Sequence, residues 1–302
     1  MAMDTGFPDS DAQTDFSRAR RRQVTANVAR RLRREPDDVN QILPFDEVVA
    51  ALGRRGERRI GLETIDLDSI VGTVDRSREF DRRFRPTGRA GKQRWQRIAT
   101  AVRRGQAMPP IDVYRIGSLH FVRDGHHRVS VARAQGLDVI EAYVTEIVTE
   151  VGAEADVRLH DLALKSHERL FYERVPLPAE LRPRLKLRTG SWYAGLAEGV
   201  EAWGFRAMQA CGEYMSREEV ARVWFEEEYE PVVRMLRDAD LVGEQTEAEA
   251  YARIVSLRYL LLRTHEWGPD VFDRLREELR SRAPREEDTL THLIRSGVPK
   301  RR

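Results

Sequence analysis

The 302-residue sequence predicts an α+β protein, a small mixed-sheet domain followed by an all-helical domain. Three observations carry that expectation. Residues 111–144, IDVYRIGSLHFVRDGHHRVSVARAQGLDVIEAYV, change from alternating apolar residues to helical spacing around Asp124-Gly125-His126-His127-Arg128, then return to a strand pattern. Upstream, 60–74 is β-branched and punctuated by Gly61 and Gly72, which suits a strand followed by a turn. After about residue 150 strand signals become scarce, and from Ser191 onward Ala, Glu, Leu, Arg and aromatic residues dominate.

Three segments follow: a flexible Arg-rich arm over 1–44, the sheet domain over 45–150 and the helical domain over 151–302. Residues 1–17 are polar and acidic with little to bury, and disorder is expected there. Arg18 and Arg34 bound an arginine-rich stretch in which Val24, Val28 and Leu32 recur every four residues, an amphipathic helix pattern. Its arginines suit nucleic-acid phosphates; the plainer alternative docks the stripe on the body and pairs the arginines with Glu35, Asp37 and Asp38.

Within the sheet domain the spacing predicts a short helix over 44–52 and another over 93–104, with Trp95 filling the space between the latter and the sheet. Pro109 and Pro110 introduce a strand, and Gly117-Ser118 turns it into the next. Farther on, helices are expected over 159–172, 192–211, 216–240, 246–264 and 269–281, the third of these kinked or divided at Pro231. Glu249 is placed to close a capping box on Thr246.

Composition narrows the function classes. Net charge is only +2, so any nucleic-acid contact must come from a local patch. The single cysteine, Cys211, excludes an intrachain disulfide and a multi-cysteine zinc site, and its apolar surroundings suit a buried, inert thiol. No run approaches the roughly 18 apolar residues of a membrane span and no signal-peptide core opens the chain, so a soluble, cytoplasmic protein is expected.

The chemistry concentrates at residues 124–128. A glycine-containing turn at a helix start offers free N–H groups and the positive end of the helix dipole to an anion. Arg128, in the first turn, can add a bidentate phosphate contact. Asp124 could accept a proton or hold magnesium, although an N-cap role alone would explain an aspartate there. Neighbouring Glu63, Asp66, Asp68 and Asp75 are further candidates for a base, with nothing to select among them. Adjacent His126 and His127 do not suit one shared metal ion, and no metal site is expected; one is expected to donate to phosphate while the other packs inward.

Together, IVGTVDR at 70–76, FDRRFRP at 80–86, RW at 94–95, PPIDVY at 109–114 and FVRDGHHRVSVAR at 121–133 resemble the ParB/sulfiredoxin-like superfamily. VWFEEEYEPVV at 223–233 and TEAEAYARI at 246–254 fit a bacterial group of ParB-like-domain proteins with a helical C-terminal domain. The resemblance implies a phosphate cradle at Gly125, His126, His127 and Arg128, holding a nucleoside triphosphate (CTP or ATP) with Mg²⁺. It also implies Arg76, after the Gly72 turn, as a second phosphate or base-side contact, with surface pairing to Asp75 or Glu79 as the plain alternative. Nucleotide state would then pass to a partner or to the second subunit of a homodimer.

It implies two alternatives as well: a small-molecule kinase or nucleotide hydrolase using Asp124, and a DNA-binding, partition-like regulator. Departures from the pattern matter. His126 stands where sulfiredoxins carry their cysteine, so thiol chemistry is excluded at this turn. The second partition phosphate motif is missing, Lys165-Ser166-His167-Glu168-Arg169 being the nearest piece. Residues 216–236 begin like a helix-turn-helix, but Glu226, Glu227 and Glu228 occupy the place of the turn and would repel DNA.

Overall fold

The computed structural model describes residues 5–89, 91–262, 267, 271, 273–275 and 277. The chain forms two compact units, Met1–Arg174 and Val175–Arg302, and the α+β class holds.

In the first unit, six strands form one mixed sheet: β1 (Leu43–Pro44), β2 (Arg54–Asp66), β3 (Ile70–Thr73), β4 (Ile111–Ile116), β5 (Leu119–Asp124) and β6 (Val139–Thr149). Their order is β1-β3-β5-β4-β6-β2. The expected strand over 60–74 is two strands, β2 and β3, parted by a 3₁₀ turn at Leu67–Ser69 that Asp66 caps by accepting from the Asp68 N–H. β2 pairs antiparallel with β6 at one edge, while β3 pairs parallel with β5 farther in. The turn therefore sends consecutive residues to different parts of the sheet. β4 and β5 form the expected hairpin, turned by Gly117 at φ +58°. Gly72 permits a tight crossing, because a Cβ there would stand 2.2 Å from Phe121 and 2.6 Å from the Leu43 carbonyl oxygen.

One face of the sheet carries α2 (Phe45–Leu52), whose Phe45 stacks on Tyr114 at 4.6 Å. Helix α5 (Asp161–Arg174) packs on α2, so the expected helix over 159–172 belongs to this unit. The sequence boundary near 150 followed the loss of strand signal, but a helix can finish a sheet domain, and the division falls at 174/175.

The opposite face buries Ile111, Val113, Val122, Ile140, Ala142 and Val144 with Val129 and Ala132 of α4 (His126–Gln135) and with Phe80 and Phe84. Beyond α4 lie α3 (Lys92–Arg103) and α1 (Pro8–Leu32). Trp95 does not fill a gap against the sheet. It is fully buried among Phe16, Ala99 and Val131, at the junction of three helices, and its indole N–H donates to Ser130 Oγ at 2.9 Å.

The N-terminal segment departs most from expectation. Helix α1 starts at Pro8, ten residues before Arg18, and its acidic start is anchored rather than disordered. Asp11 and Asp15 are buried beside Arg103, whose guanidinium reaches both carboxylates, and Phe16 meets Trp95 edge-on at 5.5 Å. A segment that looks too polar to fold alone is thus neutralised by a cation on α3. The Val24, Val28 and Leu32 stripe remains exposed, at 52%, 50% and 80%. Some of the arginines pair as the plainer alternative expected: Arg30 with Asp37, and Arg33 with Glu35.

In the second unit α6 (Ser191–Cys211) is followed by α7 (Arg217–Trp224), a π-helical turn at Phe225–Tyr229, and α8 (Glu230–Asp238). These last three run on without a break. The π-turn lies immediately before Pro231, absorbing the missing N–H, and leaves no turn at Glu226–Glu228 where a helix-turn-helix would bend. Helix α9 (Glu247–Leu262) opens on the expected box, with Thr246 Oγ1 accepting from the Glu249 N–H at 3.1 Å and Glu249 accepting from the Thr246 N–H at 3.0 Å. The helix expected over 269–281 lies largely outside the described residues. Cys211 is exposed rather than buried, because it ends α6 beside Gly212, where the chain leaves the helix at φ +74°. No described helix is long and apolar enough to cross a membrane.

These packing assignments separate two sides of one helix. Phe16→Ala is expected to cost about 3 kcal/mol in urea unfolding, as large-to-small core changes do, whereas Leu32→Ala should stay within about 0.5 kcal/mol. Equal losses would contradict the placement of α1.

Candidate functional site

Strand β5 ends at Asp124, and Gly125 turns the chain into α4 at φ +101°. Glycine is required twice over at this position. The left-handed backbone disfavours a side chain, and a Cβ would stand 2.4 Å from Ile111 Cγ2 and 3.0 Å from Arg128 Nε. Gly125 is also the N-cap, without a side-chain cap, so Asp124 is not the capping residue. The positive-φ turn closes one residue later than an aspartate cap would.

Arg128 is held from two sides. Its Nη1 donates to the carbonyl oxygens of Pro109 and Pro110 at 2.8 and 2.5 Å, and its Nη2 donates to Asp124 Oδ2 at 2.5 Å. The planar fork thereby ties the segment entering β4 to the residue leaving β5. The Arg128 side chain is 15% exposed and that of Asp124 59%.

The two histidines divide their roles. His126 is buried, with Nε2 2.7 Å from Thr73 Oγ1, and that hydroxyl oxygen also accepts the Arg76 N–H at 3.2 Å. Burial, reinforced by the Arg76 charge, pushes its pKa down to about 4. His127 is buried edge-on to Phe80 at 5.4 Å, and its pKa is lowered by burial and by Arg94 and Arg76. Its Nε2 side lies against Gly91, where a Cβ would come within 2.8 Å, while its Nδ1 is buried with no hydrogen-bond partner. A neutral imidazole with one unpaired nitrogen is costly unless something completes it.

His127 lines a small cleft with Arg76, Arg94, Ile98, Asp124, Gly125, His126 and Arg128. All six sequence-selected residues therefore meet in one place. The cleft measures about 20 Å³, room for roughly one water. It adjoins a groove of about 530 Å³ that shares Arg94, Ile98 and Arg128 and continues along Arg97, Met108 and Pro109.

Arg76 also takes its plain role, donating to both oxygens of Glu79 at 3.1 and 3.0 Å. Arg94 and Arg97 escaped the sequence reading. Neither has a hydrogen bond or ion pair among the described residues, and their three-residue spacing, on the side of α3 away from buried Trp95 and Ala99, was the available signal. Of the other carboxylates weighed, Glu63 binds Arg115, Asp66 caps a turn, and neither these nor Asp68 and Asp75 line the cleft. His120 is elsewhere, its Nδ1 2.8 Å from Ser69 Oγ and its pKa pushed to about 4 by burial. No group of three His, Cys, Asp or Glu residues that could hold a metal occurs among the described residues.

Comparison of the chain with protein-family models, with curated proteins and with solved structures finds no match.

The buried histidines set an acid limit. His120 and His126 stay neutral in the fold down to about pH 4, while an unfolded histidine protonates near 6.5. Between those values the unfolded chain binds more protons, so stability is complete above about pH 6.5 and is lost as pH falls toward 4. Urea unfolding is expected to show a lower midpoint at about pH 4.5 than at about pH 7. A His126→Asn variant should show a shallower loss, and an unchanged slope would remove His126 as a cause.

Proposed function

We propose that this chain is a nucleotide-binding protein of the ParB/sulfiredoxin-like kind, holding phosphates on the Gly125–Arg128 turn, and that its role is regulatory. The observation that carries the reading is the unpartnered, buried Nδ1 of His127 beside the opening turn of α4. A phosphate oxygen there would accept from the imidazole N–H and from first-turn backbone N–H groups. Arg76, Arg94 and Arg128 supply the surrounding positive charge, and the 530 Å³ groove has the size of a site for the rest of a nucleotide.

The cleft is too small for a phosphate while Arg128 grips Asp124. Binding would exchange that carboxylate for phosphate at the same guanidinium, releasing Asp124 toward solvent. A triphosphate such as CTP or ATP would bring Mg²⁺. Among the described residues Asp124 is the one carboxylate lining the cleft, and it would face the ion, with phosphate and water completing its oxygen shell.

Calorimetric titration with CTP, ATP, ADP and GTP in the presence of Mg²⁺ tests the reading. At least one should bind, and Arg94→Ala should weaken it about tenfold or more, the scale of one charge-assisted hydrogen bond. Arg94 has no partner to lose, so its removal should leave the melting temperature unchanged. Absence of binding to all four, or full affinity in both Arg94→Ala and Arg128→Ala, would defeat it.

The exposure of Asp124 favours a second reading, a small-molecule kinase or nucleotide hydrolase in which this carboxylate takes the proton of the attacking hydroxyl or water. Phosphate release or transfer that disappears in Asp124→Asn while binding persists would support it. Binding without turnover in the native protein would leave the regulatory reading alone.

A further inference from the structure

Strand β2 stands at one end of the sheet order, 13 residues long, with β6 on one side and no strand among the described residues on the other. Protein edges of that length are usually blunted by charge or irregularity. Here the charges are sorted along the strand. Arg54, Arg55, Arg58 and Arg59 occupy its first half, with Glu57 among them, and Glu63 and Asp66 its second. An antiparallel pairing of the strand with itself would therefore bring opposite charges together.

The ladder has two irregularities: Arg55 is an extra residue between Arg54 and Gly56, and the second bears on the register. β2 pairs Arg59 with Thr145 and Gly61 with Val144, so Ile60 is an extra residue. On a regular strand Arg58 and Glu63, five residues apart, would point to opposite faces. The bulge puts them on the same face, where one network joins them: Arg58 Nη2 to Glu146 Oε2 at 2.7 Å, Arg115 Nη2 to Glu146 Oε1 at 3.2 Å, and Arg115 Nη1 to Glu63 Oε2 at 3.0 Å.

We propose that two copies of this chain pair through β2 about a two-fold axis between Ile60 and Gly61, continuing the sheet from one subunit into the next. In that register Arg58 stands opposite Glu63 of the second copy, the pair occurring twice by symmetry. Glu57 faces Thr64, and Arg59 lies beside Leu62, which is 54% exposed and in register with Tyr143 at 52%. Moving the axis by half a residue, onto Ile60 or onto Gly61, would set residues of opposite faces against each other. The bulge thus does more than blunt the edge. It brings the charge-matched register among those whose faces agree. Arg58 is 68% exposed, so it is open to a second carboxylate.

Sedimentation of the full chain without nucleotide should give the mass of a dimer, and Arg58→Glu should shift it to monomer. Nitroxide labels in a Cys211→Ser background report the axis independently of that variant's folding. Each step from the axis separates a residue from its symmetry mate by about 6.8 Å, twice the strand rise. Labels at Leu62, Glu57 and Arg54 should therefore sit progressively farther apart, from about 10 Å between the Leu62 backbones, with the extra residues at Ile60 and Arg55 shortening the later intervals. A monomer at every concentration, or a dimer whose label distances do not increase in that order, overturns the proposal. Nucleotide affinity is measured separately, so failure here leaves the preceding reading intact.

Discussion

The fork of Arg128 organises the first unit around one point. It binds the carbonyl oxygens of Pro109 and Pro110, which lead into β4, and the carboxylate of Asp124, which ends β5. A guanidinium suits this because its donors are coplanar and permanently charged, so two directions can be satisfied at once. The contact needs a turn tight enough to bring residue 128 back beside 124. Gly125 at positive φ, pressed against Ile111, supplies that turn. Strand order, hairpin and helix start are coupled here through very few atoms.

The same contact shapes the chemistry. With Asp124 neutralised by Arg128, the cleft is left with the helix N-terminus, Arg76, Arg94 and two neutral imidazoles. His126 spends its Nε2 on Thr73 and thereby fastens β3 to α4. His127 has an unspent nitrogen in the same confined space. One ring holds structure and its neighbour is available for a ligand, a division that two adjacent helical residues achieve by pointing in different directions.

Much of this was legible beforehand because it is local. Strand-to-helix changes of period, Gly117 and Gly136 as turn and stop, and the Thr246–Glu249 box all follow from residues within a few positions of one another. The candidates at 124–128 were likewise found from a free helix start and an arginine one turn in, whereas Arg76 came from the family resemblance. What escaped was non-local. Asp11 and Asp15 made the N-terminus look unfoldable until Arg103, some ninety positions away, came beside them. Arg94 and Arg97 lie beside the turn only because α3 packs there. Cys211 sits among apolar residues in sequence but at a helix end in space.

The sequence by itself determined the α+β class and the location of the glycine turn that starts α4, because periodicity and glycine conformation act over a few bonds. Tertiary structure decided which charges are spent and which remain. Arg128 binds its own backbone and Asp124, Arg94 stays open, His126 is committed and His127 is not. Those outcomes depend on partners brought together from distant strands and helices. No local pattern encodes them, since a side chain's availability is a property of everything packed around it.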